Sequence, residues 1–356
     1  MSVLYLTEQQ ASVRLDGETL LVRVPEDKTN KREAKKTRVP LNKVTQVVVF
    51  GNITITTPAI AALIERRSEI CYLTRFGKFV ARICGDDHKH GQLRLQQRRA
   101  HDDPTATLHV AAACVRAKLH NQRTQLLRSN RSREDDVVEA AAEQIGRLIA
   151  QVDALPIDAS PAPDPSRPQQ DTLLGRLMGY EGAAATAYFQ GYGRLFGNGW
   201  DGVFTGRHKR PPTDPINALL SYGYTLLITQ AVAAAQIVGF DPYVGYLHST
   251  QYGKPALALD IVEMFRAPVV DSVVLTLLNN RMLSETDFEE TLGSWRLTDA
   301  GRKIFLQKFE ERLNQELTHP IFKTKVSYRR CIEIQMRLLS RWLLGELKRF
   351  REFYIR

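Results

Sequence analysis

The sequence predicts an α+β fold: a strand-rich, sandwich-like N-terminal domain over residues 1–90, then a larger all-helical domain over residues 91–356. Two observations carry this. Period-two apolar runs separated by turn residues fill the first ninety positions, and after Gly91 apolar residues recur at helical spacing in long segments. At 356 residues the chain is long enough for two domains or one large one, and 43% hydrophobic residues is ample for a packed core.

In the first domain the strands are SVLYL, ASVRL, TLLVRV, QVVVFG and ITIT, broken at Asp16-Gly17, at Gly51-Asn52 and by the polar run Glu26 to Arg38. They read as compact antiparallel sheet, with Lys28 to Arg38 as a solvated hairpin extension, DNA contact being the second reading of that run. PAIAALIERR starts with proline and ends in basic residues, both favourable at those helix ends. ICYLTR and FVARIC, joined at Phe76-Gly77-Lys78, complete the sheet.

The second domain reads as helices in LHVAAACVRAKLHNQRTQLL, EAAAEQIGRLIAQV, TLLGRLMGYEGAAATAYF and INALLSYGYTLLITQAVAAAQIVG. Leu155 to Gln170 is a Pro-rich interhelical loop, and YRRCIEIQMRLLSRWLLGELKRFREFYIR closes the chain as one basic amphipathic helix, a core helix or a docking surface. Tyr188, Tyr222 and Trp200 read as core residues rather than base-stacking platforms.

Cys71, Cys84, Cys114 and Cys331 show no zinc-finger spacing and read as reduced core residues. The apolar run Ile216 to Phe240 is interrupted by polar residues and reads as buried helix, so no membrane partner is expected. MSVLYLTEQQ lacks the pattern of a secretory signal, which points to the cytoplasm. A formal charge of +10 favours an anionic partner such as nucleic acid.

Acids inside apolar stripes are the informative anomaly. Glu181 lies on the face Leu174, Leu177, Met178, Ala184, Ala185 and Tyr188. An ionised carboxylate there needs a cation, either an arginine or a metal. Asp260 and Glu263 repeat the pattern one turn apart on a helix that begins near Lys254-Pro255. Arg266 balances only one of them, whereas a divalent ion neutralises both. His248 precedes this helix in HSTQYG. Carboxylates plus an imidazole suit Mg²⁺ or Mn²⁺, which would act on a phosphodiester by stabilising developing charge. The alternatives are a structural ion pair for Glu181, a solvated acidic edge for Asp260 and Glu263, and an ordinary loop hydrogen bond for His248.

Three motifs then carry a resemblance: LLGRLMGYEGAAATAYF around Glu181, FTGRHKRPPTDPINALLSYGYTLL from Phe204 to Leu227, and GYLHSTQYGKPALALDIVEMFR around His248 and Asp260. Over nearly its whole length the chain resembles the CRISPR-associated integrase of spacer acquisition. The resemblance implies a metal-dependent DNA endonuclease and integrase that inserts prespacer DNA into a CRISPR array by transesterification. Glu181, His248 and Asp260 would be its catalytic metal ligands, and Glu263 a supporting acid near the metal or DNA.

The same resemblance implies a homodimer, the N-terminal domain serving dimerisation and DNA contact. The dimer would sit in a larger complex with the small second CRISPR adaptation protein, on double-stranded prespacer and leader–repeat DNA. His248 serves as ligand or proton acceptor, ligand being preferred. Phosphate contacts are expected from Arg207, Lys209 and Arg210 in GRHKRPP, from Lys118 and Arg123 with Asn121 and Gln122 on one basic helical segment, from Lys254, and from Arg94, Arg98 and Arg99. Two other functions share these features: a non-catalytic duplex-binding subunit, and a metal-dependent nuclease acting on branched DNA in repair.

Overall fold

The computed structural model describes residues 2–27, 33–85, 90–157, 172–208, 210–248 and 253–355. The chain divides into two compact units at residues 88 and 89. Most of the Pro-rich loop, the first residues of the Lys28 to Arg38 run, Lys209, Ser249 and Thr250 lie outside the described residues.

The first unit contains β1 (Ser2–Leu6), β2 (Ser12–Asp16), β3 (Thr19–Val24), β4 (Lys35–Pro40), β5 (Val44–Phe50), β6 (Thr54–Ile55), α1 (Thr57–Glu65), β7 (Glu69–Leu73) and β8 (Phe79–Ile83). Two four-stranded sheets form, ordered β1-β5-β7-β8 and β4-β3-β2-β6. Their apolar faces share one core. Val47, Val49 and Ile70 come from one sheet, Val13, Leu20 and Val22 from the other, and Ala59 and Leu63 from α1.

The expected all-antiparallel pairing is corrected. β2-β3-β4 and β7-β8 are antiparallel, but β1-β5, β5-β7 and β2-β6 are parallel. Parallel neighbours need a crossover, and α1 supplies it between β5 and β7. Apolar alternation reveals a strand's buried face and says nothing about its partner's direction. Cys84 is exposed, while the other three cysteines are buried.

The second unit consists of α2 (Gly91–Asp102), α3 (Pro104–Asn130), α4 (Asp136–Asp153), α5 (Leu173–Gly193), α6 (Pro215–Val238), α7 (Ala256–Val262), a π-helical segment Arg266–Asp271, α8 (Ser272–Asn279), α9 (Asp299–Asn314) and α10 (Tyr328–Leu343). It also carries two antiparallel ribbons, β9 (Phe288–Thr291) with β10 (Ser294–Leu297), and β11 (Glu316–Thr318) with β12 (Lys325–Ser327). Helix starts follow local chemistry. Asp103 caps α3 ahead of Pro104, Asp214 caps α6 ahead of Pro215, and Thr172 caps α5 through the Gly175 N–H. Although α6 is apolar enough to cross a membrane, most of it is buried in this unit.

The final helix is shorter than its sequence suggests. α10 ends at Leu343 and Gly345 has φ 77°, so the helix stops there and residues 346–355 follow as a non-helical tail. Its Phe350, Phe353 and Ile355 are buried, and Phe353 stacks on Phe265 with centroids 4.8 Å apart. Asn121 of α3 is not on a basic surface. Its Nδ2 donates to the carbonyls of Met264 and Phe353 at 2.6 and 3.2 Å, and its Oδ1 accepts the Ile355 N–H at 2.9 Å. Helix α3 thus ties the tail to the end of α7.

Gly223 brings α6 against the π-helical segment: a Cβ there would lie 2.5 Å from Val270 Cγ1 and 2.9 Å from Phe305 Cζ. Gly223→Ala should therefore destabilise the protein by about 1–3 kcal/mol. Gly179→Ala, on the exposed side of α5 with open space around it, should add about 0.5–1 kcal/mol through helix propensity. Urea denaturation of both variants measures this, and equal effects would contradict the packing described.

Candidate active site

The site begins with a buried acid that organises a loop. Asp260 of α7 is fully buried. Its Oδ2 accepts the backbone N–H groups of Tyr246 and Leu247 at 2.6 and 3.1 Å, and its Oδ1 accepts that of His248 at 2.9 Å. His248 Nδ1 lies 2.8 Å from the same Oδ1. With four N–H contacts the carboxylate's lone pairs are all engaged. With Nδ1–H donating to Asp260, the second ring nitrogen, Nε2, keeps its lone pair.

The loop reaches Asp260 because residue 245 is glycine: a Cβ would meet the Ala256 carbonyl carbon at 2.6 Å and Asp260 Oδ2 at 2.9 Å. From α2, Gln97 Nε2 donates to the Asp241 and Val244 carbonyls at 2.8 Å each, and His101 Nδ1 lies 2.7 Å from the Gly245 carbonyl. Burial pushes the His248 pKa down, but the hydrogen bond and charge of Asp260, with the charge of Glu263, more than offset this and raise it.

The second half of the site is a buried charge cluster. Glu263, just past α7, has a side chain only 5% exposed. Its Oε2 lies 2.8 Å from Lys118 Nζ, its Oε1 3.1 Å from Arg266 Nε, and Oε1 is 4.0 Å from His248 Nε2. Lys118 Nζ also donates to Glu181 Oε1 in a close contact. Glu181, on α5, is 28% exposed and Lys118 10%. Burial raises the Glu263 pKa, but Arg266, Lys118 and His248 outweigh it and hold the carboxyl at about 2. The Lys118 pKa is raised: burial lowers it, and the charges of Glu263 and Glu181 prevail.

The sequence-derived residues therefore fall into two linked groups, His248 with Asp260 and Glu181 with Lys118 and Glu263, which meet at Glu263. Among the described residues no three His, Cys, Asp or Glu side chains stand as a ready-made metal site. Lys118 Nζ bridges the two glutamates, and Asp260 is occupied by its loop.

Asp271 is a functional-looking acid that the sequence reading missed. It lies in the apolar run FRAPVVDSVVLTLL, which was the available signal. Tyr224 and Tyr188 donate to its two oxygens at 2.6 and 2.7 Å, and Tyr192 donates to its backbone carbonyl at 3.0 Å. Burial raises the Asp271 pKa against the opposing pull of these tyrosines and of Arg266 and Arg207. The Tyr224 ring is flanked by Arg266 at 4.5 Å and Arg207 at 5.5 Å, so the network runs from the GRHKR loop to Glu263. Within this segment the π-helical turn contains Pro268, which has no N–H for a regular helix.

Two expected DNA-facing cations are placed differently. Lys118 is buried among the acids, and the Arg207 guanidinium donates to His208 O, Asn217 Oδ1 and Ser221 Oγ. Gln122 is also buried, because this face of α3 packs inward. Arg210, Arg123, Lys254, Arg94, Arg98 and Arg99 are exposed, Arg123 giving one hydrogen bond to the Ala142 carbonyl at 3.2 Å. Tyr188, Tyr222 and Trp200 are buried.

The sign of the Glu263 shift fixes a pH dependence. A carboxyl whose folded pKa is depressed from 4.5 to about 2 contributes stability that is complete above about 4.5 and is lost as pH falls toward 2. Between those pH values the wild-type unfolding temperature should fall more steeply than that of Glu263→Gln, measured by calorimetry. Parallel curves would contradict the buried ion pairs.

The family profile described as CRISPR associated protein Cas1 matches residues 4–311. A Geobacter sulfurreducens CRISPR-associated exonuclease Cas4/endonuclease Cas1 fusion is 38% identical over 357 residues; the match covers 99% of this chain, which spans 60% of the fusion's length. A Moorella thermoacetica CRISPR-associated endonuclease Cas1 is 35% identical over 359 residues, covering 100% of this chain and 99% of the relative. Among solved structures, a casposase bound to integration product superposes with a TM-score of 0.81 at 21% identity, covering 99% of this chain and 93% of that one. Since the profile spans most of the sequence and the Moorella relative matches end to end, the chain belongs to the CRISPR-associated protein Cas1 family.

Proposed function

We propose that this protein is a metal-dependent DNA endonuclease and integrase that joins prespacer 3′-hydroxyl ends to a CRISPR leader–repeat by transesterification. In this reading Glu181, Glu263 and His248 Nε2 hold Mg²⁺ or Mn²⁺, and Asp260 aims His248 rather than binding the ion. The observation that carries it is the His248 ring, fixed through Nδ1 by a saturated carboxylate and presenting Nε2 4.0 Å from Glu263 Oε1. Family membership supports the activity class, since relatives bear the name endonuclease. The fold is shared with a casposase captured on its integration product.

The donor set fits the ion. Two carboxylates and one imidazole suit Mn²⁺ or Mg²⁺, and Glu263 Oε2 is buried with an ion-pair contact to Lys118 but no aligned hydrogen bond. Held there, the ion would supply Lewis-acid stabilisation of charge developing on the phosphodiester. Asp260 fixes the tautomer and angle of His248; Arg266 holds Glu263 in place through Oε1; Gly245 lets the loop approach Asp260. Exposed Arg123, Arg210 and Lys254 add positive charge for a phosphate backbone. Prespacer and leader–repeat duplexes are the proposed substrates, and a homodimer working with the small second adaptation protein the proposed assembly.

A non-catalytic duplex-binding role has one observation in its favour: Glu181 and Glu263 already have basic partners in Lys118 and Arg266. Strand-transfer assays separate the readings, using a 3′-hydroxyl prespacer duplex, the small partner protein, a supercoiled array plasmid and Mn²⁺. Glu181→Gln, Glu263→Gln and His248→Ala should each lower transfer on the order of a hundredfold or more while duplex affinity stays within about twofold. Asp260→Asn should weaken Mn²⁺ binding roughly 10- to 100-fold as a positioning residue and also lower the unfolding temperature. Full transfer by Glu263→Gln would reject the assignment. Cleavage of branched DNA without insertion would favour a repair nuclease.

A further inference from the structure

We propose that Lys118 and the divalent ion compete for the same two carboxylates, so that loading the site requires the Lys118 ammonium to leave its place between Glu181 and Glu263. This rests on the ligand assignment above and adds a residue that controls its occupancy.

The geometry is specific. Lys118 projects from the buried face of α3, its side chain only 10% exposed, and its Nζ contacts Glu181 Oε1 from α5 and Glu263 Oε2 beside α7. Among the described residues it is the cation that joins these two acids. Arg266 meets Glu263 on the other oxygen, Oε1. Glu263 Oε2 meets Lys118 at 2.8 Å and Oε1 meets Arg266 at 3.1 Å, so an ion ligated by both glutamates at about 2.0–2.2 Å would lie only a few ångströms from the ammonium that joins them, where two cations repel strongly. The charge count agrees: with Asp260 included, the three carboxylates outweigh Lys118 and Arg266 by one negative charge, a divalent ion added with Lys118 in place leaves one positive charge, and departure of Lys118 leaves none.

A lysine suits displacement better than an arginine, because its ammonium is a point charge on a flexible stem with no bidentate lock on a carboxylate. An acceptor stands one turn along the same helix face. Gln122 Oε1 is buried and has no hydrogen-bond partner among the described residues, at the i+4 position from Lys118. Such an acceptor can receive the ammonium while it remains inside the protein.

The test titrates Mn²⁺ calorimetrically into chelator-treated full-length protein as wild type, Lys118→Met and Lys118→Arg, with unfolding temperatures recorded in chelator and in saturating Mn²⁺. Removing the competing charge should tighten Mn²⁺ binding roughly tenfold in Lys118→Met. That variant should also unfold at a lower temperature than wild type in chelator, and Mn²⁺ should erase the difference. Lys118→Arg, which keeps a bulkier and bidentate cation, should bind Mn²⁺ several-fold more weakly than wild type.

Unchanged or weaker Mn²⁺ binding by folded Lys118→Met would overturn the proposal. If Lys118→Met does not fold, Lys118→Arg binding Mn²⁺ as tightly as wild type overturns it instead. Glu181→Gln and Glu263→Gln keep the two failures apart. Mn²⁺ affinity lost in those variants but unaltered in Lys118→Met rejects displacement alone, whereas full affinity in the glutamine variants, or none in wild type, rejects the ligand assignment and displacement with it.

Discussion

Asp260 takes four N–H contacts on two oxygens while wholly removed from water, and most of the site's geometry follows from that. An ionised carboxylate loses several kcal/mol of solvation in such a place unless hydrogen bonds replace it. Here the replacement comes from consecutive backbone amides of one loop and from the His248 ring. The loop is consequently fixed in position by the acid that it solvates, and the imidazole is fixed with it. Gly245, Gln97 and His101 hold the remaining degrees of freedom.

A second buried cluster meets the first through Glu263. Lys118 and Arg266 keep that carboxylate ionised, and Arg266 rests on the Tyr224 ring whose hydroxyl serves Asp271. Arg207 from the basic loop rests against the same ring. One contiguous set of polar side chains thus runs from the basic loop to His248, crossing the π-helical turn. Arg266 contacts Glu263 directly, whereas Arg207 is linked to it through the shared Tyr224 ring.

Much of this was legible in the sequence. Period-two and helical runs encode the two-part architecture, and acids inside apolar stripes mark Glu181, Asp260 and Glu263. What stayed hidden has physical causes. Strand direction is set by crossovers that apolar alternation does not encode, hence the parallel β1-β5-β7 arrangement. Asp260 and Glu263 look alike one turn apart on a helix, and only the path of the preceding loop makes one an acceptor for amides and leaves the other for cations. Lys118 and Arg207 sit in basic local sequence, where charge suggests solvent and phosphate, yet tertiary packing turns both inward. Asp271 was passed over because its tyrosine donors lie about 47 and 83 positions away in the chain.

The central claim is a division of labour in which Asp260 aims an imidazole and Glu263 takes the place beside the ion. Anomalous diffraction from crystals soaked in Mn²⁺, collected above and below the manganese edge, tests it most directly. The account predicts one peak within ligation distance of Glu181, Glu263 and His248 Nε2, with the Lys118 ammonium moved away and the four N–H contacts of Asp260 intact. A peak ligated by Asp260 with Glu263 still held between Lys118 and Arg266 would contradict it.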